Sequence, residues 1–274
     1  MANIIRSPTW PDPRVKPLFG AVQINRGHPL VAGMEFWFLG ETGGQTRETV
    51  RGRISTSTIL PPRLGSPKGL APRFDGATSS RFLLNTVTAL PNGTGYTVWA
   101  LCLPTAAGAI QSPIDSDDNG SNRMFQLRFT AADAYQFIVF NTGVTAFTPS
   151  GGLMVANVLT TIGGSVGGTD IGVWQDGRRV ATGTLTGTLF SAAPTITIGR
   201  RDSGPSNQFT GYVLAAARWR RALSAAEHLQ LFTEPYAFLQ PVIRRRYFVP
   251  AAGAADVLPG HGPLLAGLRN RLIQ

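Results

Sequence analysis

Apolar and polar side chains alternate with a period of two in several short runs of this chain, and a helical period is nearly absent. In Tyr135-Gln136-Phe137-Ile138-Val139-Phe140 the aromatics Tyr135 and Phe137 occupy alternate positions, and in Thr195-Ile196-Thr197-Ile198 both isoleucines point one way. Strand-like runs recur at 34–39, 71–75, 80–84, 96–103, 110–115, 124–129, 135–140, 155–162, 170–175, 179–183, 195–199 and 211–219, with turn signals between them. Asp176-Gly177 between two such runs predicts a two-residue hairpin. The pattern changes once. After the apolar, β-prone run 209–219, Ser224-Ala225-Ala226-Glu227 places glutamate three residues after a serine. That is a capping box, and it predicts one short helix. Many short strands and a single late helix predict an all-β chain built as a two-sheet antiparallel β-sandwich.

The ends do not follow this pattern. Residues 1–29 are proline-rich and without period, so they read as an extended N-terminal arm; the stretch 42–72 reads as loop. The sandwich is expected over 30–236. Residues 237–274 read as a C-terminal docking arm, in which Leu264, Leu265, Leu268 and Leu272 fall on one face of a short terminal helix.

Only 15% of the residues are charged, so much of the surface must be Ser, Thr, Gly and Asn. The net charge is +10, and all but two of the 25 basic residues are arginine, the lysines being Lys16 and Lys68. Arg, Ala, Gly and Pro rise together, as a GC-rich coding sequence would make them; the arginines also suit contact with an anionic partner. Cys102 is alone, which excludes an intramolecular disulfide and suits folding in a reducing cytoplasm. It sits in an apolar run and reads as a core residue. The N-terminus lacks the apolar stretch of a secretory signal, and no run is long enough to span a bilayer.

Four motifs, in order, carry a resemblance. Phe74-Asp75-Gly76, Val173-Trp174-Gln175-Asp176-Gly177-Arg178, Ile198-Gly199-Arg200 and Arg218-Trp219-Arg220-Arg221-Ala222-Leu223-Ser224-Ala225-Ala226-Glu227 stand in the register of laminin-G-like, concanavalin-A-like jelly rolls. The flanks Asn25-Arg26-Gly27-His28-Pro29-Leu30 and Glu234-Pro235-Tyr236-Ala237-Phe238-Leu239, with the later Arg244-Arg245-Arg246, resemble the ends of such proteins encoded in tailed-phage structural gene clusters. The resemblance implies a concanavalin-A-like jelly roll and a non-enzymatic virion protein, foremost a capsid decoration protein. Its partners would be other capsid or tail proteins, in many copies or as a homo-oligomer. It would assemble in the bacterial cytoplasm and leave by lysis. The alternative is a lectin-like tail or fibre component that binds host-surface glycans, for which Trp10, Trp37, Trp99, Trp174 and Trp219 are candidate stacking groups, although four of them sit in or beside strands and read as core.

Residue chemistry narrows the choice. Retaining glycoside hydrolysis needs two carboxyls about 5 Å apart. The five glutamates (Glu35, Glu41, Glu48, Glu227, Glu234) form no such motif, and Glu227 reads as a cap. Asp115-Ser116-Asp117-Asp118-Asn119-Gly120 matches the first half of a calcium loop, with Asp115, Asp117 and Asn119 as ligands. The bidentate glutamate is replaced by Gln126, and an acidic turn between strands fits equally. His28, His228 and His261 lack metal spacing and read as surface or arm residues. Ile243, Arg244, Arg245, Arg246, Tyr247 and Phe248 mix arginine with apolar groups, as interface hot spots do, and with Leu265, Leu268 and Leu272 form the expected partner-docking set. Nucleic-acid contact or packing on the chain's own domain are the other readings of that run.

Overall fold

The computed structural model describes Asp12 and residues 14–17, 22–39, 63–66, 69–76, 82–84, 95–117, 123–190, 195–201 and 206–241, with backbone alone for 63–66, 69–70 and 82–84. Its strands are β1 (Val22–Ile24), β2 (Met34–Leu39), β3 (Arg63–Ser66), β4 (Gly69–Asp75), β5 (Phe82–Leu84), β6 (Tyr96–Pro104), β7 (Gln111–Asp117), β8 (Arg123–Phe129) and β9 (Tyr135–Phe140). There follow β10 (Ala146–Phe147), β11 (Ser150–Gly151), β12 (Thr160–Gly167), β13 (Asp170–Gln175), β14 (Arg178–Thr184), β15 (Ile196–Ile198), β16 (Thr210–Trp219) and β17 (Leu239–Pro241). The helix α1 (Ala225–Thr233) lies between the last two strands.

The strands form two antiparallel sheets packed as a jelly-roll sandwich. One has seven strands in the order β10-β9-β8-β7-β15-β5, with β11 also on β9. The other has eight in the order β14-β13-β12-β6-β16-β4-β3, with β2 also on β16. Inward-facing residues of both sheets make the main core, including Phe38, Val98, Ile162 and Val173 from one and Leu127, Phe137, Val139 and Ile198 from the other. Cys102 is buried there, as its apolar run predicts.

The eight-stranded sheet carries a second apolar layer on its other face. Trp37 stacks on Trp99 with ring centroids 5.7 Å apart, and Phe238 meets Trp37 edge-on at 4.6 Å. Leu30, Leu101, Leu231, Tyr236 and Leu239 complete this layer. Strand β6 is therefore buried at every position, which explains why its sequence is a continuous apolar run and not an alternation.

What covers that layer is built from the two chain ends. Strand β1 pairs antiparallel with β17, Val22 opposite Pro241 and Ile24 opposite Leu239. The Asn25 N–H donates to the Phe238 carbonyl at 2.8 Å, and the His28 ring lies against Phe238. The Trp219 indole N–H donates to the Leu30 carbonyl at 2.6 Å. The inner ends of both expected arms thus join in one clasp over the tryptophans.

Helix α1 closes the same layer. Ser224 and Glu227 form the capping box, and Arg221 grips Glu227 through two N–H groups at 2.9 and 2.6 Å while its Nε donates to the Ala32 carbonyl. The Asp176-Gly177 hairpin is the predicted one, with φ of 47° and 75°, the left-handed pair such a turn requires.

Two sequence expectations are corrected. The strand expected at 155–162 begins at Thr160 and runs to Gly167. Val155 and Val158 are exposed, and Asn157 sits at a φ of 64°, so the chain is still turning there. Glycines 163 and 164 continue the strand because side chains from neighbouring elements occupy their faces: His228 and Trp174 over Gly163, the Phe137 ring over Gly164. Within the expected loop 42–72, Arg63–Ser66 pairs with β4 as a hairpin.

A methyl group on Gly164 would fall within the Phe137 ring. Gly164→Ala is expected to destabilise the sandwich by about 1–3 kcal/mol through overpacking, read as a lower urea midpoint.

Candidate functional site

The outward face of the seven-stranded sheet differs from every other part of the sandwich. Pairing places Ile114, Leu127 and Phe137 side by side toward the core, which turns their neighbours Asp115, Gln126 and Ile138 outward, with Thr197 beside Asp115. Arg128 and Gln136 are paired one step further along the same face. In an ordinary antiparallel sheet such a face is solvated and loosely ordered. Here Asp115, Asp117, Gln126 and Thr197 are buried, while Arg123, Arg128, Gln136 and Arg201 are half-buried around them.

Asp117 is the centre of this cluster. Its carboxylate, fully buried, accepts from Arg123 Nε at 3.1 Å, from Arg201 Nη2 at 2.8 Å and from the Gln126 amide N–H. A buried carboxylate is tolerated only when paired and hydrogen-bonded, and both conditions are met. Because Gln126 donates to Asp117, its amide oxygen is turned away and accepts from Arg128 Nη1 at 3.0 Å. Arg128 Nε donates to Gln136 Oε1 at 2.7 Å. One hydrogen-bonded line therefore runs across β7, β8 and β9. Arg123 also lies over the Phe140 ring, its guanidinium carbon 5.2 Å from the centroid.

Among the described residues charge does not balance across the line. The cluster sets three guanidinium groups against the carboxylates of Asp115 and Asp117. Burial pushes the Arg128 guanidinium below its ordinary pKa; Asp115 opposes that shift and Arg201 adds to it. Chemically the face is an ordered array of N–H donors and amide groups, suited to a polyhydroxylated or anionic ligand.

Two of the three expected calcium ligands, Asp115 and Asp117, fall in this cluster. Asp115 and Asp117 lie within strand β7, where an acidic turn is the competing expectation, and Asn119 is outside the described residues. The oxygens of Asp117 that a cation would need are taken by two arginines and an amide. The partner-docking set Ile243, Arg244, Arg245, Arg246, Tyr247, Phe248, Leu265, Leu268 and Leu272 lies outside the described residues. Sequence reading missed Arg123, Gln126 as a ligand-face residue, Arg128, Gln136 and Arg201. The polar residues Gln126, Arg128 and Gln136 at alternate positions of two paired strands were the available signal.

A concavity of about 320 Å3 lies beside α1. It is lined by Arg14, Leu101, Leu159, Thr160, Thr161, Phe232, Thr233 and Pro235. Its walls are mostly apolar and hold no carboxylate or imidazole, so it offers little chemistry. Four tryptophans are committed to packing: Trp37, Trp99 and Trp219 are at most 1% exposed and Trp174 8%, while Trp10 is outside the described residues.

The histidine expectation is corrected by His228, which is not a surface residue. It is buried, stacked parallel on Trp174 at 4.1 Å, and desolvation holds its pKa down to about 3. His28 caps the short 3-10 turn Pro29–Val31 by accepting from the Leu30 N–H, and burial lowers its pKa as well.

Residues 75–227 match the laminin-G-type family described as the concanavalin A-like lectin/glucanases superfamily, and the chain belongs to it. No curated protein matches the chain. Among solved structures it is similar to the binding domain of Paraclostridial Mosquitocidal Protein 1 (TM-score 0.57, 10% identity, 73% of this chain and 52% of that one). It is similar also to the binding domain of Botulinum Neurotoxin serotype G (0.55, 9%, 73% and 50%) and to Trypanosoma rangeli sialidase in complex with sialic acid (0.54, 13%, 73% and 32%). The chain thus spans about half the length of the toxin domains and a third of the sialidase; the likeness is one of fold.

His228 generates a pH dependence. It is neutral in the fold with a pKa near 3, against about 6.5 when unfolded. Between those values the unfolded chain binds more protons, so stability falls as pH falls from about 6.5 toward 3. His28 acts with the same sign. Glu227, held down to about 2 by Arg221, contributes only below its ordinary 4.5. His228→Phe, which keeps the stack on Trp174, is expected to lessen the loss of stability between about pH 6.5 and 5, measured by urea denaturation.

Proposed function

We propose that this chain is a non-enzymatic, lectin-like module that recognises glycans through the outward face of its seven-stranded sheet. The observation that carries this reading is the buried Asp117 held by Arg123, Arg201 and Gln126, with Arg128 and Gln136 continuing the line. Such a preorganised donor array costs little ordering on binding and matches the hydroxyl and acid groups of sugars. The sialidase and toxin domains of similar fold make a binding role consistent with the architecture. A binding role without catalysis is supported by the state of the three described glutamates: Glu35 is ion-paired with the fully buried Arg218, Glu227 caps the helix, and Glu234 ends it. On a panel of neutral and acidic oligosaccharides, the purified protein is expected to bind a subset, and Asp117→Ala to lose that binding. Binding to none would remove the lectin reading.

The virion reading is favoured by a separate observation. The two flanking motifs that resemble tailed-phage proteins, Asn25 to Leu30 and Glu234 to Leu239, meet in one clasp. A matched pair of motifs that form a single structural unit supports common descent with those proteins more than two isolated matches would. In this reading the clasp holds the sandwich together, and residues 243–274 dock the module on a capsid or tail in many copies. Full-length protein is expected to co-sediment with particles in fixed ratio, and a variant ending at Val242 to remain folded but unbound. Equal binding by both would place docking elsewhere; binding by neither would remove the decoration role.

A further inference from the structure

The reading of the polar face can be taken to a ligand class, and the step rests on that reading. Arg128 is the informative residue. It is half-buried on a face where Arg123 and Arg201 pair with Asp117, yet its own hydrogen bonds go to the neutral oxygens of Gln126 and Gln136. Among the described residues no carboxylate pairs with it. A guanidinium has five N–H donors. Nε and one Nη1 hydrogen are used, so the Nη2 edge carries no acceptor among the described residues. Both amides are locked in the orientation that presents oxygen to Arg128: Gln126 by donating to Asp117, Gln136 by its reach to the Thr148 carbonyl. The guanidinium is thereby held by neutral acceptors, and Asp115 and Asp117 act on it only through space. Half-burial of a cation that no carboxylate bonds among the described residues is costly, and the cost is offset when an anion completes the site. Arg201, on the same side of Asp117, adds to the positive field.

We propose that the outward face of the seven-stranded sheet selects acidic glycans, and that Arg128 receives the anionic group of the sugar. A carboxylate fits the planar fork with two parallel bonds; a sulfate ester presents the same oxygen pair. Aromatic stacking contributes little, since Phe140, the aromatic that lies on this face beneath Arg123, is itself buried.

Matched probes test this. Trigalacturonate and its methyl ester differ only in charge at carboxyls; sulfated lactose and lactose differ only in the sulfate. Binding is measured by calorimetry with the full-length protein at low and physiological salt. At least tenfold tighter binding of one charged member over its neutral counterpart is expected. Arg128→Gln should remove the preference and Arg128→Lys retain part of it, each variant having an unchanged thermal midpoint or a near-native near-UV spectrum. Arg178→Gln, on the exposed strand β14, should leave the preference intact; if it lowers binding equally, the attraction is the general +10 charge and the inference fails. The sulfate and carboxylate pairs decide which acid is read. Equal binding of charged and neutral members overturns the inference while the lectin reading stands. If none of these four probes binds but a neutral sugar of the broader panel does, the inference is again overturned alone; if nothing on either panel binds, both fall.

Discussion

Burial of the eight-stranded sheet on both faces is the constraint on which the rest of this molecule depends. A two-sheet sandwich normally buries one face of each sheet and wets the other. Here β6 and β16 direct Val98, Ala100 and Ala216 into the sandwich and Trp99, Leu101 and Ala217 into a second layer. That second layer must be covered, and about 3–5 kcal/mol rides on each large aromatic in it. The cover comes from three places far apart in sequence: the 22–31 segment, helix α1 and the 236–241 segment. Arg221 ties the first two together by holding Glu227 and the Ala32 carbonyl at once. The helix is nine residues long and would be marginal alone; packing and its capping box hold it.

With the helix, clasp and tryptophans all assigned to the eight-stranded sheet, the outward face of the seven-stranded sheet carries the polar groups, and it is the place where ordered charge accumulates. The buried Arg218–Glu35 pair, both residues fully enclosed and the guanidinium 5.5 Å from the Tyr96 ring, is a different arrangement: one cation for one anion, with no edge left toward solvent. Asp117 instead draws two arginines and an amide, and the line continues to Arg128, whose hydrogen bonds go to neutral amide oxygens.

The fold was legible in the sequence because its signals are local. Alternation placed Tyr135–Phe140 and Asp170–Gln175 to the residue, the Asp-Gly pair marked its hairpin, and serine with glutamate three residues on marked the helix. What failed were the places where tertiary neighbours override local preference. Glycines 163 and 164 look like a break and are strand, because Phe137, Trp174 and His228 fill the room their missing side chains leave. His228 looks like a surface residue on a polar helix and is buried, because the ring of Trp174 on β13 lies parallel to it. The site was half-legible. Asp115 and Asp117 were singled out by their spacing, for metal chemistry, but the arginines that hold Asp117 come from positions 6 and 84 residues away, and spacing carries no trace of the second.

How the tryptophans are used bears on what kind of recognition this face can support. Lectin sites often rely on an exposed aromatic that stacks on a sugar ring, and here the four described tryptophans are buried, three in the second apolar layer and Trp174 against His228. Recognition by hydrogen bonds and charge alone gives direction and selectivity but modest affinity, since each polar contact exchanges with water. A module of that kind is effective when many copies act together, because linked binding events multiply weak affinities without any new contact. The chemistry of the polar face and the proposed place on a particle are therefore not competing accounts. A weakly binding, charge-reading face is useful to a protein displayed in high copy number, and a particle that displays such a face gains selectivity for acidic surfaces at little cost in reversibility.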